Sequence, residues 1–171
     1  MELYKQEIFQ LAKEKADQIF YNSSEEHAAI VHQAIAQTAE KYISILSCSL
    51  CSEISNNGNY CSSIDAFLSN NQSHLIRVIL TDYDEEFLSK PIAMVLKKYP
   101  SQVQVRLFGG RVTKDGKPVH FTFADDRMFR IETDIDKHMA YGNFNSPKQV
   151  QILNTAFNNV FNRSVPLNLG N

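Results

Sequence analysis

The sequence predicts an α/β protein: a mainly parallel sheet flanked by helices on both faces, with a β-hairpin before the last helix. Three observations predict it. A near-continuous apolar run at 42–48 suits a strand covered on both faces, and 75–80 and 103–108 read as two further strands. Stretches with helical periodicity separate them, and alternation at this spacing favours right-handed βαβ crossovers with helices packed on the sheet. Beyond the third strand the pattern changes. Phe121 and Phe123 alternate with polar residues, as do Phe129 and Ile131, and the two runs meet at Asp125-Asp126, a natural turn between antiparallel strands.

Taken in order, residues 3–20 place Leu3, Ile8, Leu11, Ala12, Ala16, Ile19 and Phe20 at helical spacing, which predicts an amphipathic helix. Ser23 and Glu26 form a capping box for a second helix over about 24–41, with Ala28, Ile30, Val31, Ala34 and Ile35 on its apolar side. His27 and His32 on that helix have no partner at ligand spacing and read as surface or edge residues. After the first strand, the polar stretch 52–60 marks a loop and 62–68 a short helix. Pro91 opens a helix reaching Lys98. Turn-rich 113–118 leads into the hairpin, and a strand at 139–141 follows it. Ser146, Pro147 and Gln149 then supply an N-cap, a first-turn proline and a capping-box glutamine for the last helix, whose apolar face includes Val150, Leu153, Phe157 and Val160.

At 171 residues with 43% hydrophobic content, the chain is long enough to bury one core, so a single domain over 1–171 is expected. It divides into an N-terminal helix (1–20), a core (24–163) and a loose tail (164–171). No apolar run approaches the ~20 residues of a membrane span, and no basic leader precedes an apolar block at the start, which points to the cytoplasm. The net charge of −2 hides an asymmetry. Residues 1–96 carry 6 Lys/Arg against 13 Asp/Glu, and residues 97–171 carry 11 against 6. A positive field around the second half favours phosphate or nucleic acid there, and a plain solvated surface is the alternative. Cys48, Cys51 and Cys61 form C-x2-C-x9-C with His74 further on, a spacing that fits no tight zinc pattern. No metal or cofactor is expected, and Cys48, ending an apolar run, reads as a small buried residue.

The functional information concentrates in 119–145. His120 and Thr122 lie two apart on the first hairpin strand, and Arg130 and Glu132 two apart on the second, so each pair shares a face. Arg130 is suited to a bidentate grip on phosphate, or to pairing with Glu132. His120 is open to a core reading beside Phe121 and Phe123. Gly142-Asn143-Phe144-Asn145 precedes the last helix, where free backbone N–H groups attract anions or merely cap the helix. Asp125, Asp126 and Lys117 support the cluster.

A helix leading into a core strand, two αβ units, a hairpin bearing histidine and a strand ending in Gly-x-x-Asn before a closing helix together resemble one half of a phospholipase D superfamily protein, over residues 24–163. The resemblance implies that His120 stands at the nucleophile position and Asn145 at the asparagine that holds phosphate. Thr122 stands where the family has lysine, neither aspartate falls at the family's spacing, and Asn143 follows Gly142 where the family has serine or glycine. Threonine cannot supply the cation that phosphoryl transfer needs. The expected function is therefore a divergent, non-catalytic phospholipase D-like module that binds a phosphate-bearing ligand, nucleic acid included, or a protein partner. One alternative is an active phosphodiesterase or nuclease assembled as a homodimer, with His120 as nucleophile and Arg130 or Lys117 as substitute cation. Another is a structural or regulatory subunit docking through its N-terminal helix.

Overall fold

In chain order, the computed structural model, which describes residues 1–170, contains α1 (Glu2–Glu14), β1 (Phe20–Asn22), α2 (Glu25–Thr38), β2 (Tyr42–Ser47), α3 (Gly58–Asn70), β3 (Leu75–Leu80), α4 (Pro91–Lys97) and β4 (Val103–Leu107). There follow β5 (Thr113–Lys114), β6 (Lys117–Pro118), β7 (His120–Ala124), β8 (Met128–Asp134), β9 (Met139–Asn143), α5 (Pro147–Phe161) and β10 (Val165–Pro166). Eight strands form one sheet in the order β1-β9-β8-β7-β2-β3-β4-β10. The three apolar runs are mutually parallel at its centre, β2 beside β3 and β3 beside β4. The pairings outside this core are antiparallel, so the sheet as a whole is mixed.

Alternation along each strand divides the core into two layers. On one face Ile43, Ile45, Ile76, Val78 and Val105 pack against Ile8 and Leu11 of α1, Val31 and Ile35 of α2, Ile64 and Leu68 of α3, and Ile92 and Leu96 of α4. On the other, Leu46, Ile79, Phe121, Phe123, Phe129 and Ile131 meet Val150, Leu153, Phe157 and Val160 of α5. The expected helices on both faces are present, four on one side and one on the other.

Several boundaries differ from the sequence reading. The first helix stops at Glu14 because Lys15 adopts a left-handed conformation (φ 51°), its N–H bonding back to Ala12 O at 3.2 Å. Phe20 is thus freed to start an edge strand on β9. Ser24, not Ser23, caps α2, accepting a hydrogen bond from the His27 N–H at 3.2 Å. Helix α3 is longer than expected because Asn57 caps it, accepting from the Asn59 and Tyr60 N–H groups. Ser146 precedes α5 as expected but makes no side-chain cap bond; its own N–H donates to Arg127 O. The segment after Ser164, expected to be loose, contains an edge strand, with Val165 opposite Leu107 and the Leu167 N–H bonded to Val105 O; the last residue of that expected tail lies outside the described residues. Among the described residues, no helix is long and apolar enough to cross a membrane.

Candidate functional site

The hairpin register builds the site. His120 lies opposite Glu132 and Thr122 opposite Arg130, which puts all four on the sheet face away from α5. Glu132 sits between two cations: its Oε2 is 3.1 Å from His120 Nδ1, and its Oε1 accepts from an Arg130 terminal nitrogen at 3.0 Å. Arg130 is buried, and its other two nitrogens also have partners within the chain. Its Nε donates to Asn22 Oδ1 on β1 at 3.0 Å, and its other terminal nitrogen lies 3.4 Å from His32 Nε2 on α2. His138, between β8 and β9, adds a further imidazole, with Nδ1 3.8 Å from Glu132 and Nε2 3.1 Å from Glu25.

These groups border a cavity of about 110 Å³ roofed by Tyr60 of α3 and by the chain from Cys48 to Leu50 that leaves β2. On the other side of His120 a more open cleft of about 570 Å³ runs past Thr81, Asp82, Gly110 and Arg111. Cys48 and His120 border both spaces.

Charge in the cluster is set by these neighbours. Burial alone would lower the pKa of His120, but the adjacent Cys48 and Glu132 more than offset it and raise the value to about 9. Burial alone would raise Glu132; His120 and Arg130 instead bring it down to about 2. The His32 imidazole is lowered to about 3, first by burial and then by the Arg130 charge, consistent with its Nε2 accepting from the guanidinium. The Cys48 thiol is lowered by His120 against the opposing effect of burial.

The expected site residues therefore separate into two groups. His120, Thr122, Arg130 and Glu132 come together; the others do not join them. Asp125 and Asp126 occupy the hairpin turn with φ of 56° and 57°, the left-handed pair of a tight turn. Their work is structural: the Asp125 carboxylate accepts from the N–H groups of Glu40, Lys41 and Tyr42 at 2.6, 2.8 and 3.2 Å, and Asp126 accepts from the Tyr42 hydroxyl at 2.7 Å. Lys117 is exposed on β6, opposite Lys114. Asn143 pairs with Phe129, whose side chain lies on the α5 face. Its amide donates to Asp17 Oδ1 at 2.8 Å and its Oδ1 accepts from the Asn145 N–H at 2.7 Å, so this loop is held by its own contacts, away from the His120 cavity.

Asn22, His32 and Cys48 are site residues that the sequence reading misses. His32 corrects the surface assignment: it follows Ala28 by four and precedes Ile35 by three, on the helix's apolar stripe, and a polar residue there is a usable signal. Cys48 directly follows the carboxyl end of a parallel strand, where sites of open α/β sheets gather. No local signal marks Asn22. Among the described residues, no group of three or more His, Cys, Asp or Glu side chains could hold a metal ion.

A family model described as Domain of unknown function (DUF7931) matches residues 24–168. The chain belongs to the DUF7931 family. No curated protein sequence matches it. Among solved structures, this DUF7931 chain is similar to TrmBL2, an archaeal chromatin protein with a described mode of DNA binding, at a TM-score of 0.65 and 10% identity, with 97% of this chain covered. It spans 62% of the length of TrmBL2. It is also similar to NucT from Helicobacter pylori (TM-score 0.62, 12% identity, 88% of this chain and 100% of that one). Nuc from Salmonella typhimurium, a phospholipase D family member, gives a TM-score of 0.58 at 12% identity over 88% of this chain and 96% of that one. The fold of this DUF7931 chain is phospholipase D-like, as the sequence resemblance implies.

Proposed function

We propose that this protein is a phospholipase D-like module that binds a phosphate-bearing ligand at the His120 cavity without hydrolysing it. The observation that carries the reading is the state of Arg130: it is buried, and each of its three nitrogens already has a partner within the chain, Asn22, Glu132 and His32. With Thr122 opposite it in place of a lysine, the His120 face of the hairpin offers no further guanidinium or ammonium among the described residues to neutralise the equatorial oxygens of a phosphoryl group in transfer, and Arg111 borders the open cleft but not the enclosed cavity. Binding needs less. With Nδ1 held by Glu132, protonated His120 has Nε2–H left to donate, and a bound phosphate replaces Cys48 as its second partner. Arg130 contributes charge from behind, and the Thr122 hydroxyl lies on the same face. A cavity of about 110 Å³ far exceeds the roughly 10–15 Å³ that one water needs by this measure, so a phosphate group can enter. The likeness to a DNA-binding chromatin protein makes nucleic acid one source of that phosphate.

Two assays on the same preparation test this. Inorganic phosphate or a short oligonucleotide should bind by calorimetry, and His120→Ala should weaken the binding by about 1.5–3 kcal/mol, the range for losing a hydrogen bond to a charged group. Bis(p-nitrophenyl) phosphate, DNA and RNA should stay intact in chelator. Metal-independent hydrolysis abolished by His120→Ala would overturn the reading in favour of a phosphodiesterase, including one completed by a second copy. Absence of any phosphate binding would leave a protein-docking scaffold.

A further inference from the structure

Cys48 is the first residue after β2, half-buried, and borders both the enclosed cavity and the open cleft. His120 borders the same two spaces and lowers the pKa of the thiol, and its own Nδ1 is held at 3.1 Å by Glu132. A thiol, an imidazole next to it and a carboxylate orienting that imidazole form the arrangement that activates a nucleophilic cysteine: the imidazole takes the thiol proton, and the imidazolium then stabilises the thiolate. The other cysteines lack this setting. Cys61 is buried, its thiol directed at Ser55 O at 3.7 Å, and burial raises its pKa. The Cys51 thiol is directed at Ser49 O at 3.6 Å and does not border the cleft.

We propose that Cys48 is a nucleophilic thiol served by the His120–Glu132 pair, and that it forms mixed disulfides with small organic disulfides entering by the cleft beside Thr81, Gly110 and Arg111. In the step, the Cys48 thiolate, paired with the His120 imidazolium that holds the proton, attacks one sulfur of the incoming disulfide, and the old S–S bond breaks as the new one forms. The leaving thiolate departs with the electron pair and takes up the proton from the imidazolium. Cys48 is oxidised and the small disulfide is reduced to one thiol and the adduct. The inference goes beyond phosphate binding and does not rest on it.

The test is peptide-resolved labelling of the reduced, folded chain with oxidised glutathione, together with the stopped-flow rate of reaction with 5,5′-dithiobis(2-nitrobenzoate) between pH 6 and 8.5. Labelling at Cys48 should run at least tenfold faster than at Cys51 or Cys61, and Cys48→Ser should remove the fast kinetic phase. Its rate should be nearly flat with pH, whereas an unassisted thiol rises about tenfold per pH unit below its pKa near 8.5. The charged and titratable groups lining the two spaces with Cys48 are His120, Glu132 and Arg130 from the hairpin, His32, Tyr60 and His138 around the cavity, and Asp82 and Arg111 along the cleft. His120→Gln should restore the steep pH slope. Preferential labelling of Cys51, a free-thiol pH slope in the unmutated chain, or a profile unchanged in His120→Gln would overturn the proposal. The labelling order in the unmutated chain decides it even if a variant fails to fold.

Discussion

Glu132 is the residue on which the site's electrostatics turn. One oxygen serves His120 and the other Arg130, and losing it would leave two adjacent cations with no shared counter-charge. The signs of the pH dependence follow from the neighbours. His120, raised from 6.5 to about 9, contributes stability that is fully present below pH 6.5 and is lost as pH rises through 9. Glu132, lowered from 4.5 to about 2, contributes stability that is present above pH 4.5 and is lost as pH falls through 2. His32, lowered from 6.5 to about 3, acts oppositely to His120: its contribution is present above pH 6.5 and is lost as pH falls toward 3. Thermal unfolding across pH should therefore give a maximum near pH 6.5. His32→Gln should flatten the limb between pH 6.5 and 4.5, and His120→Gln the limb between 6.5 and 9. An alkaline limb unchanged by His120→Gln would contradict the assignment.

At the scale of elements, the β8–β9 and β9–β1 pairings decide where the candidate anion loop goes. Gly142 lies opposite both Arg130 and Phe20, and a Cβ there would stand 2.3 Å from Phe129 O and 2.4 Å from the end of the Phe20 ring. The glycine admits Phe20, which packs against fully buried Phe144 with centroids 4.9 Å apart. Gly142→Ala should therefore cost about 1–3 kcal/mol in chemical denaturation, the range of overpacking with backbone displacement. A change under about 0.5 kcal/mol, typical of an open surface site, would show that the loop is free for ligands. The contrast with the hairpin explains what the sequence makes legible. Period-two alternation fixes which side each strand residue faces, so the shared face of His120, Thr122, Arg130 and Glu132 can be read directly. Strand β1 cannot be read, because its first residue ends an apolar, helix-spaced stretch and its partners lie more than a hundred residues away: Arg130 to Asn22 spans 108 positions. Whether Arg130 pairs inside or faces a ligand depends on that contact.

For the molecule as a whole, the parallel core of β2, β3 and β4 and the helices on both faces follow from alternation and strand composition, while the antiparallel flank and the β10 edge depend on pairings that periodicity does not encode. The fold gathers His120, Arg130, Glu132 and His32 from three separate elements, and Cys48 from the segment after β2, into one cavity wall on the face opposite α5. The proposed function turns on a cationic imidazole, oriented by a carboxylate, whose second nitrogen would donate to an anion. The most direct measurement is an NMR titration of the His120 ring, assigned by loss of its signals in His120→Gln, with and without inorganic phosphate. The expected result is a midpoint near 9 and saturable displacement of the His120 resonances by phosphate. A midpoint near the ordinary histidine value of 6.5 and resonances that phosphate leaves in place would contradict it.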